Sequence, residues 1–156
     1  IVTASTSNIT TDPGATRPQS TGILIGAGAN VASLTNTGTI AAVTSGSIAP
    51  TVTGTIGDAG AIVDKSGTLL SVANTGTINA TVTQTITTTT TTNPVVASTA
   101  TKAVAIDLSA APLGATITQT QSTVSGAAAP TITGAIFGSM VVVSRRIVMR
   151  WRSPRG

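Results

Sequence analysis

Apolar and polar residues alternate along much of this chain with a period of two. Thr81-Val82-Thr83-Gln84-Thr85-Ile86 and Ala115-Thr116-Ile117-Thr118-Gln119-Thr120 carry the alternation most clearly. It sends apolar side chains to one face of a strand and Thr and Gln to the other. Thr is β-branched and suits an exposed strand position. Gly, Asn, Asp, Ser and Pro punctuate the runs, as corners require. Apolar residues seldom recur at helical spacing, and Leu, Lys, Arg, Gln and Glu are scarce in the body, so no helix is expected. The Ala-rich stretch 125–130 is too short and too punctuated to form one.

The alternating runs belong to a repeat. Residues 22–42 and 60–80 align without a gap at an offset of 38, and Asn36-Thr37-Gly38-Thr39-Ile40 recurs as Asn74-Thr75-Gly76-Thr77-Ile78. In that alignment Leu24 and Ile25 match Ile62 and Val63, and Leu34 matches Val72. Thr-Gly-Thr-Ile also starts at Thr53, and Thr-Gly-Ala-Ile at Thr133. This shorter echo predicts an all-β parallel β-solenoid (β-helix) of about six coils, each of roughly 19–20 residues, whose strands pair with equivalents in the coils above and below. The expected inward positions include Ile25, Leu34, Ile40, Ile62, Leu70, Val72, Ile78, Ile106, Ile117 and Ile136. Residues 1–20 read as an extended lead-in, 21–136 as the repeat domain, and 137–156 as an atypical apolar and then basic tail. The Thr-rich run 85–93 reads as a strand followed by a loop.

Composition narrows the chemistry. The 156 residues include no Cys, His, Tyr or Glu, and charged residues make up 8%. That excludes an ordinary zinc or haem site, a Cys nucleophile and a Ser-His-Asp triad. The only side-chain carboxylates are Asp12, Asp58, Asp64 and Asp107. No cofactor or metal is expected. The net charge of +4 suggests nucleic acid, but its distribution does not. Residues 1–144 carry three cations against four Asp, and all remaining basicity lies in Arg145, Arg146, Arg150, Arg152 and Arg155. The tail reads as an atypical end, a shifted reading frame or an end cap rather than as a nucleic-acid arm. No run of 18 apolar residues crosses a membrane as a helix. Without Cys, stability rests on packing and backbone hydrogen bonds.

Four polar residues stand out as structural corner positions. Asn36 and Asn74 recur at matched places and suit an amide ladder between coils. Asp64 and Asp107 each follow an apolar pair and precede a Ser two residues on. They suit Asx-type corners better than calcium ligands, which need 6–8 oxygens.

The ordered set of motifs resembles bacterial autotransporter passenger domains. It comprises Gly22-Ile23-Leu24-Ile25-Gly26-Ala27-Gly28-Ala29, Leu34-Thr35-Asn36-Thr37-Gly38-Thr39-Ile40, Ala61-Ile62-Val63-Asp64-Lys65-Ser66-Gly67-Thr68-Leu69 and Ala103-Val104-Ala105-Ile106-Asp107-Leu108-Ser109. The resemblance covers about residues 20–136 and departs near Phe137. It implies a parallel β-helix displayed or released at the surface of a Gram-negative bacterium.

The function expected from these features is non-catalytic: an extracellular structural or adhesive β-solenoid that self-assembles end to end into a surface filament. Its partner is then another copy of itself, with surface glycans as further candidates and no nucleic acid. Nothing in residues 20–136 resembles a polar capping coil, and uncapped edges recruit strands. The junction residues expected are Ile1, Val2, Val141, Val142 and Val143. Two alternatives stand beside this reading: a monomeric autotransporter passenger fragment acting as an adhesin, and a β-helix polysaccharide-active enzyme. The enzyme needs Asp clustered with Lys or Arg, and Lys65 beside Asp64 is the one such sequence pair in the body.

Overall fold

The computed structural model describes residues 2–6, 9–10, 19–48, 55–86, 102–112, 114–121, 128–138 and 141–146. Among them every regular element is a β-strand. In chain order these are β1 (Val2–Thr6), β2 (Ile9–Thr10), β3 (Gln19–Ile25), β4 (Ser33–Asn36), β5 (Thr39–Ile48), β6 (Thr55–Ile56) and β7 (Asp58–Asp64). Then follow β8 (Ser71–Asn74), β9 (Thr77–Ile86), β10 (Ala103–Leu108), β11 (Ala115–Thr120), β12 (Thr131–Thr133), β13 (Ala135–Gly138) and β14 (Val141–Arg146).

Twelve of these strands form three parallel four-stranded sheets. The first runs β1-β5-β9-β12, the second β3-β7-β10-β13 and the third β4-β8-β11-β14. A two-residue antiparallel ladder joins β2 to β6. From β3 onward, if β6 is passed over, the chain visits the second, third and first sheets in turn. The repeat explains this order. Equivalent short strands separated by corners pair in parallel with their counterparts from the neighbouring repeat.

Register shows which periodicity governs pairing. Ser33 faces Ser71, Asn36 faces Asn74 and Ile40 faces Ile78, so the 38-residue offset is the pairing distance in the third and first sheets. The expected coil of 19–20 residues, and the count of six, do not describe these sheets. Each has four strands, and one 38-residue unit supplies one strand to each sheet. The shorter Thr-Gly-Thr-Ile echo reports similar strand starts, not pairing partners. Later spacings depart from it in both directions: Ile106 faces Ile62 and Ile132 faces Ile78, 44 and 54 residues apart, while Ile136 faces Ile106 and Val141 faces Ala115, 30 and 26 residues apart.

The gap-free alignment also fails by one residue in the second sheet. Ile23 faces Ile62, Leu24 faces Val63 and Ile25 faces Asp64. The loop after Ile25 is one residue longer than the loop after Asp64, which absorbs the difference before β4 and β8. A one-residue slip exchanges the faces of a strand. Leu24 is accordingly 62% exposed while Ile25 is buried.

The core is a stack of aliphatic columns. Ile40, Ile62, Leu69, Val72, Ile78, Ile106, Leu108 and Ile117 are buried, and Ala42, Ala61, Ala80, Ala105 and Ala111 fill the spaces between them. Burying one Ile stabilises by about 1.5–3 kcal/mol. Leu70, expected inside, is 43% exposed, and Leu69 takes the interior position instead. The strict alternation breaks there because a tight corner precedes the strand. Of other apolar positions, Val52 lies outside the described residues, as do the side chains of Ile48, Ile56 and Ile86.

The boundaries drawn at residues 20 and 136 fall beside or within strands. β3 begins at Gln19, β1 pairs with β5, and β14 pairs with β11. The Thr-rich run beyond Ile86 lies outside the described residues.

Candidate functional site: corner ladders and an outer groove

The corners carry most of the buried polar chemistry. Asn36 and Asn74 end β4 and β8 and are both buried. The Asn36 Nδ2 donates to Asn74 Oδ1 at 2.8 Å and to the Thr77 carbonyl at 3.0 Å. Its Oδ1 accepts from the Gly38 amide at 3.2 Å. Asn74 repeats the pattern one unit later, accepting from the Gly76 amide at 3.2 Å and donating to the Thr131 carbonyl at 3.2 Å. Asn alone of the small residues supplies both donor and acceptor on one planar group. Gly is needed two positions on for a steric reason. A Cβ on Gly76 would collide with the Gly38 backbone of the neighbouring unit. The pentapeptide repeat is thus a stacking device.

Asp64 ends β7, is fully buried and sits in register with Ile25, an aliphatic position. A carboxylate survives there because it is fully engaged. Oδ1 accepts from the Ser66 amide at 2.8 Å and the Ser66 hydroxyl at 2.6 Å, and Oδ2 accepts from the Leu69 amide at 3.2 Å. Burial pushes its pKa up, but the bonds from Ser66, Leu69 and Gly67 outweigh this and hold it below the usual carboxylate value. Gly67 turns the chain at φ 72°, where only glycine is unstrained. The Leu69 bond draws Leu69 into the core. Next to this corner, Thr68 Oγ1 accepts from the Val31 amide at 2.9 Å, tying two units together. Nothing in a Thr-rich sequence singled Thr68 out.

Asp107 is the corresponding corner of β10. Its Oδ1 accepts from the Ser109 amide at 3.0 Å, and Lys65 Nζ approaches Oδ2 at 3.5 Å. Burial raises its pKa, while Ser109 and the Lys65 charge together bring it below the usual value. Lys65 therefore pairs with Asp107, forty-two residues away, and not with its sequence neighbour Asp64.

This ion pair closes one end of a groove of about 380 Å³ on the second sheet. Leu24, Val63 and Val104 form its apolar floor, with Thr21 and Gln19 beside them. Asp58 and Lys102 line the other end, where the Lys102 amide donates to Asp58 Oδ1 at 2.8 Å. Two Asp and two Lys thus share one face, a cluster invisible in the sequence because register alone assembles it. Among the described residues no three His, Cys, Asp or Glu lie close enough to hold a metal.

Of the expected junction residues, Ile1 lies outside the described residues. Val2 lies on β1, at one edge of the first sheet, and Val141, Val142 and Val143 lie on β14, at the opposite edge of the third. No family model, curated protein or solved structure matches this chain.

Proposed function

We propose that this chain is a non-catalytic parallel β-solenoid of the cell surface that stacks end to end into a filament. The observation that supports it is the cyclic order of strands through the second, third and first sheets, with equivalent residues of successive units in parallel register. Where such a stack ends in unpaired backbone, its strand edges recruit further strands. The surface assignment rests on the resemblance to autotransporter passengers.

The polar residues support a structural role. The Asn pair joins units, Asp64 is spent on its own corner, and Asp107 is held ionised. A polysaccharide-active enzyme needs a carboxyl with a raised pKa as proton donor. Electron microscopy and sedimentation of the purified protein test the proposal. Uniform filaments are expected; dispersed monomers at every concentration would refute it.

The groove favours a second reading, a monomeric adhesin, because hydroxyl, amide, charged and apolar groups line one concavity. Glycan binding by dispersed monomers, abolished by Thr21→Trp filling the groove, would support it over assembly.

A further inference from the structure

The outward positions of the third sheet form an array of hydroxyls. Val72 and Ile117 are buried in the core, so their neighbours along β8 and β11 point the other way. Register then stacks Ser33, Ser71 and Thr116 in one outer column and Thr35, Ala73 and Thr118 in the next. Every one of these positions except Ala73 carries a hydroxyl. Ser33, Thr35 and Thr116 are exposed, and the others are half-buried. The registers joining β4, β8 and β11 run without a shift, so neither column is interrupted.

This face differs from the corners in its hydroxyls and from the second sheet in its charge. The hydroxyls of Ser33, Thr35, Ser71 and Thr116 bond to no other described residue, whereas those of Ser66, Thr68 and Thr75 are spent inside the protein. β4, β8 and β11 carry no charged residue. Among the described residues charge is confined to the second sheet and its flanks, apart from Arg145 and Arg146 on β14. Exposed strand positions of soluble proteins ordinarily include charges, which keep sheets from associating. A face that leaves its hydroxyls unpaired and omits charge fits a partner that is itself a neutral, regular array of hydrogen-bonding groups.

We propose that this face binds ice. Its residues repeat about 4.8 Å apart across the strands and about 6.6 Å apart along them. Oxygens on the prism plane of hexagonal ice repeat at similar distances along two perpendicular axes, so waters held by the two columns fall near lattice positions. The Thr methyl groups beside the hydroxyls order the first water shell further. A Lys in their place would hold a tight hydration shell of its own and break that order. Other occupants fit less well. β4, β8 and β11 offer no aromatic ring for a sugar to stack on and no cation for an anionic surface. The site does not require end-to-end assembly; stacked copies would only lengthen it.

Slow growth of ice in a solution of the purified full chain tests this. A protein that binds ice is taken up into the solid, whereas other solutes are left in the liquid. Wild type is expected in the ice at several times the level of serum albumin in the same vessel. T35K/T116K sets two charges on exposed positions of the array and should fall to the albumin level. A73K adds a charge between the columns' ends without removing a hydroxyl, and should lose most of the uptake. F137K, an exposed position on the second sheet, should match wild type. Circular dichroism checks that each variant keeps the β-signal, and A73K stands in for T35K/T116K if that variant fails to fold.

Wild type left in the liquid with albumin would overturn the proposal. Uptake that T35K/T116K and A73K leave unchanged would also overturn it, because ice would then be bound elsewhere. Equal loss in F137K would mean that any added charge suffices, and would overturn the assignment to this face. Loss in T35K/T116K and A73K with F137K intact supports it. None of these results bears on filament formation, which microscopy reads separately.

Discussion

Replacing Asp64 isolates the cost of a corner. In Asp64→Ala the amides of Ser66 and Leu69 and the Ser66 hydroxyl lose an ionised acceptor. The hydroxyl keeps a partner in Thr68 Oγ1 at 2.7 Å, but the Leu69 amide is left in a site sealed from water. Hydrogen bonds to a charged group contribute about 1.5–3 kcal/mol each. With partial relaxation the expected loss is roughly 3–5 kcal/mol, within the range for breaking a buried charged network. Asp64→Asn is milder, about 2–3 kcal/mol by the same reckoning, because its carbonyl still serves Ser66 while its amide opposes the Leu69 N–H.

The sign of the pH dependence follows from the lowered pKa of Asp64. Its stabilising contribution is present above the unfolded-state pKa, near 3.9, and is lost as pH falls through the lower folded-state value. Urea unfolding of wild type and D64N, at neutral pH and at a series of acid values, is the assay. Wild type should lose its advantage over D64N as the solution is acidified below about pH 4. Both proteins keep a residual acid slope from Asp107, whose pKa is also lowered. Equal stability of D64N and wild type at neutral pH, or parallel acid curves, would refute the account of this corner.

Four further outcomes are expected. Ile78→Asp places a carboxylate at a fully buried column position, and chemical denaturation should read a loss of several kcal/mol or outright failure to fold. Gly76→Ala forces two units apart at the Gly38 backbone and should lower the melting temperature well beyond the roughly 0.5–1 kcal/mol gain that Ala offers an unstrained strand. Ser20→Ala removes a buried hydroxyl with no hydrogen-bond partner and should stabilise by up to about 1 kcal/mol in the same urea assay. Lys65→Met breaks an ion pair whose Lys is largely exposed, so stability should change by less than about 1 kcal/mol.

The sequence made the strands legible because their signals are local. Alternation and β-branched Thr mark β9 and β11, and the identical pentapeptides mark Asn36 and Asn74 as register partners 38 residues apart. What it hid depends on counting residues through loops. One extra residue after Ile25 shifts β3 against β7, places Asp64 in an aliphatic column and turns Leu24 outward. The Asp64 corner likewise decides between Leu69 and Leu70 through a hydrogen bond that no pattern encodes. The groove is the extreme case. Lys65 and Asp107 meet across forty-two residues, a separation set by the differing lengths of the intervening segments.

Successive units lie in parallel register and return to the same three sheets. Interstrand nuclear Overhauser contacts measure this most directly, in solution or, for filaments, by magic-angle spinning. Amide-to-Hα contacts are expected to link Ile40 with Ile78 and Ile78 with Ile132 in the first sheet. The same contacts are expected along Ile23, Ile62, Ile106 and Ile136 in the second, and along Leu34, Val72 and Ile117 in the third. Strong Hα-to-Hα contacts between neighbouring strands would indicate antiparallel pairing. Those contacts, or columns that link residues about 19 apart, would contradict the parallel 38-residue register.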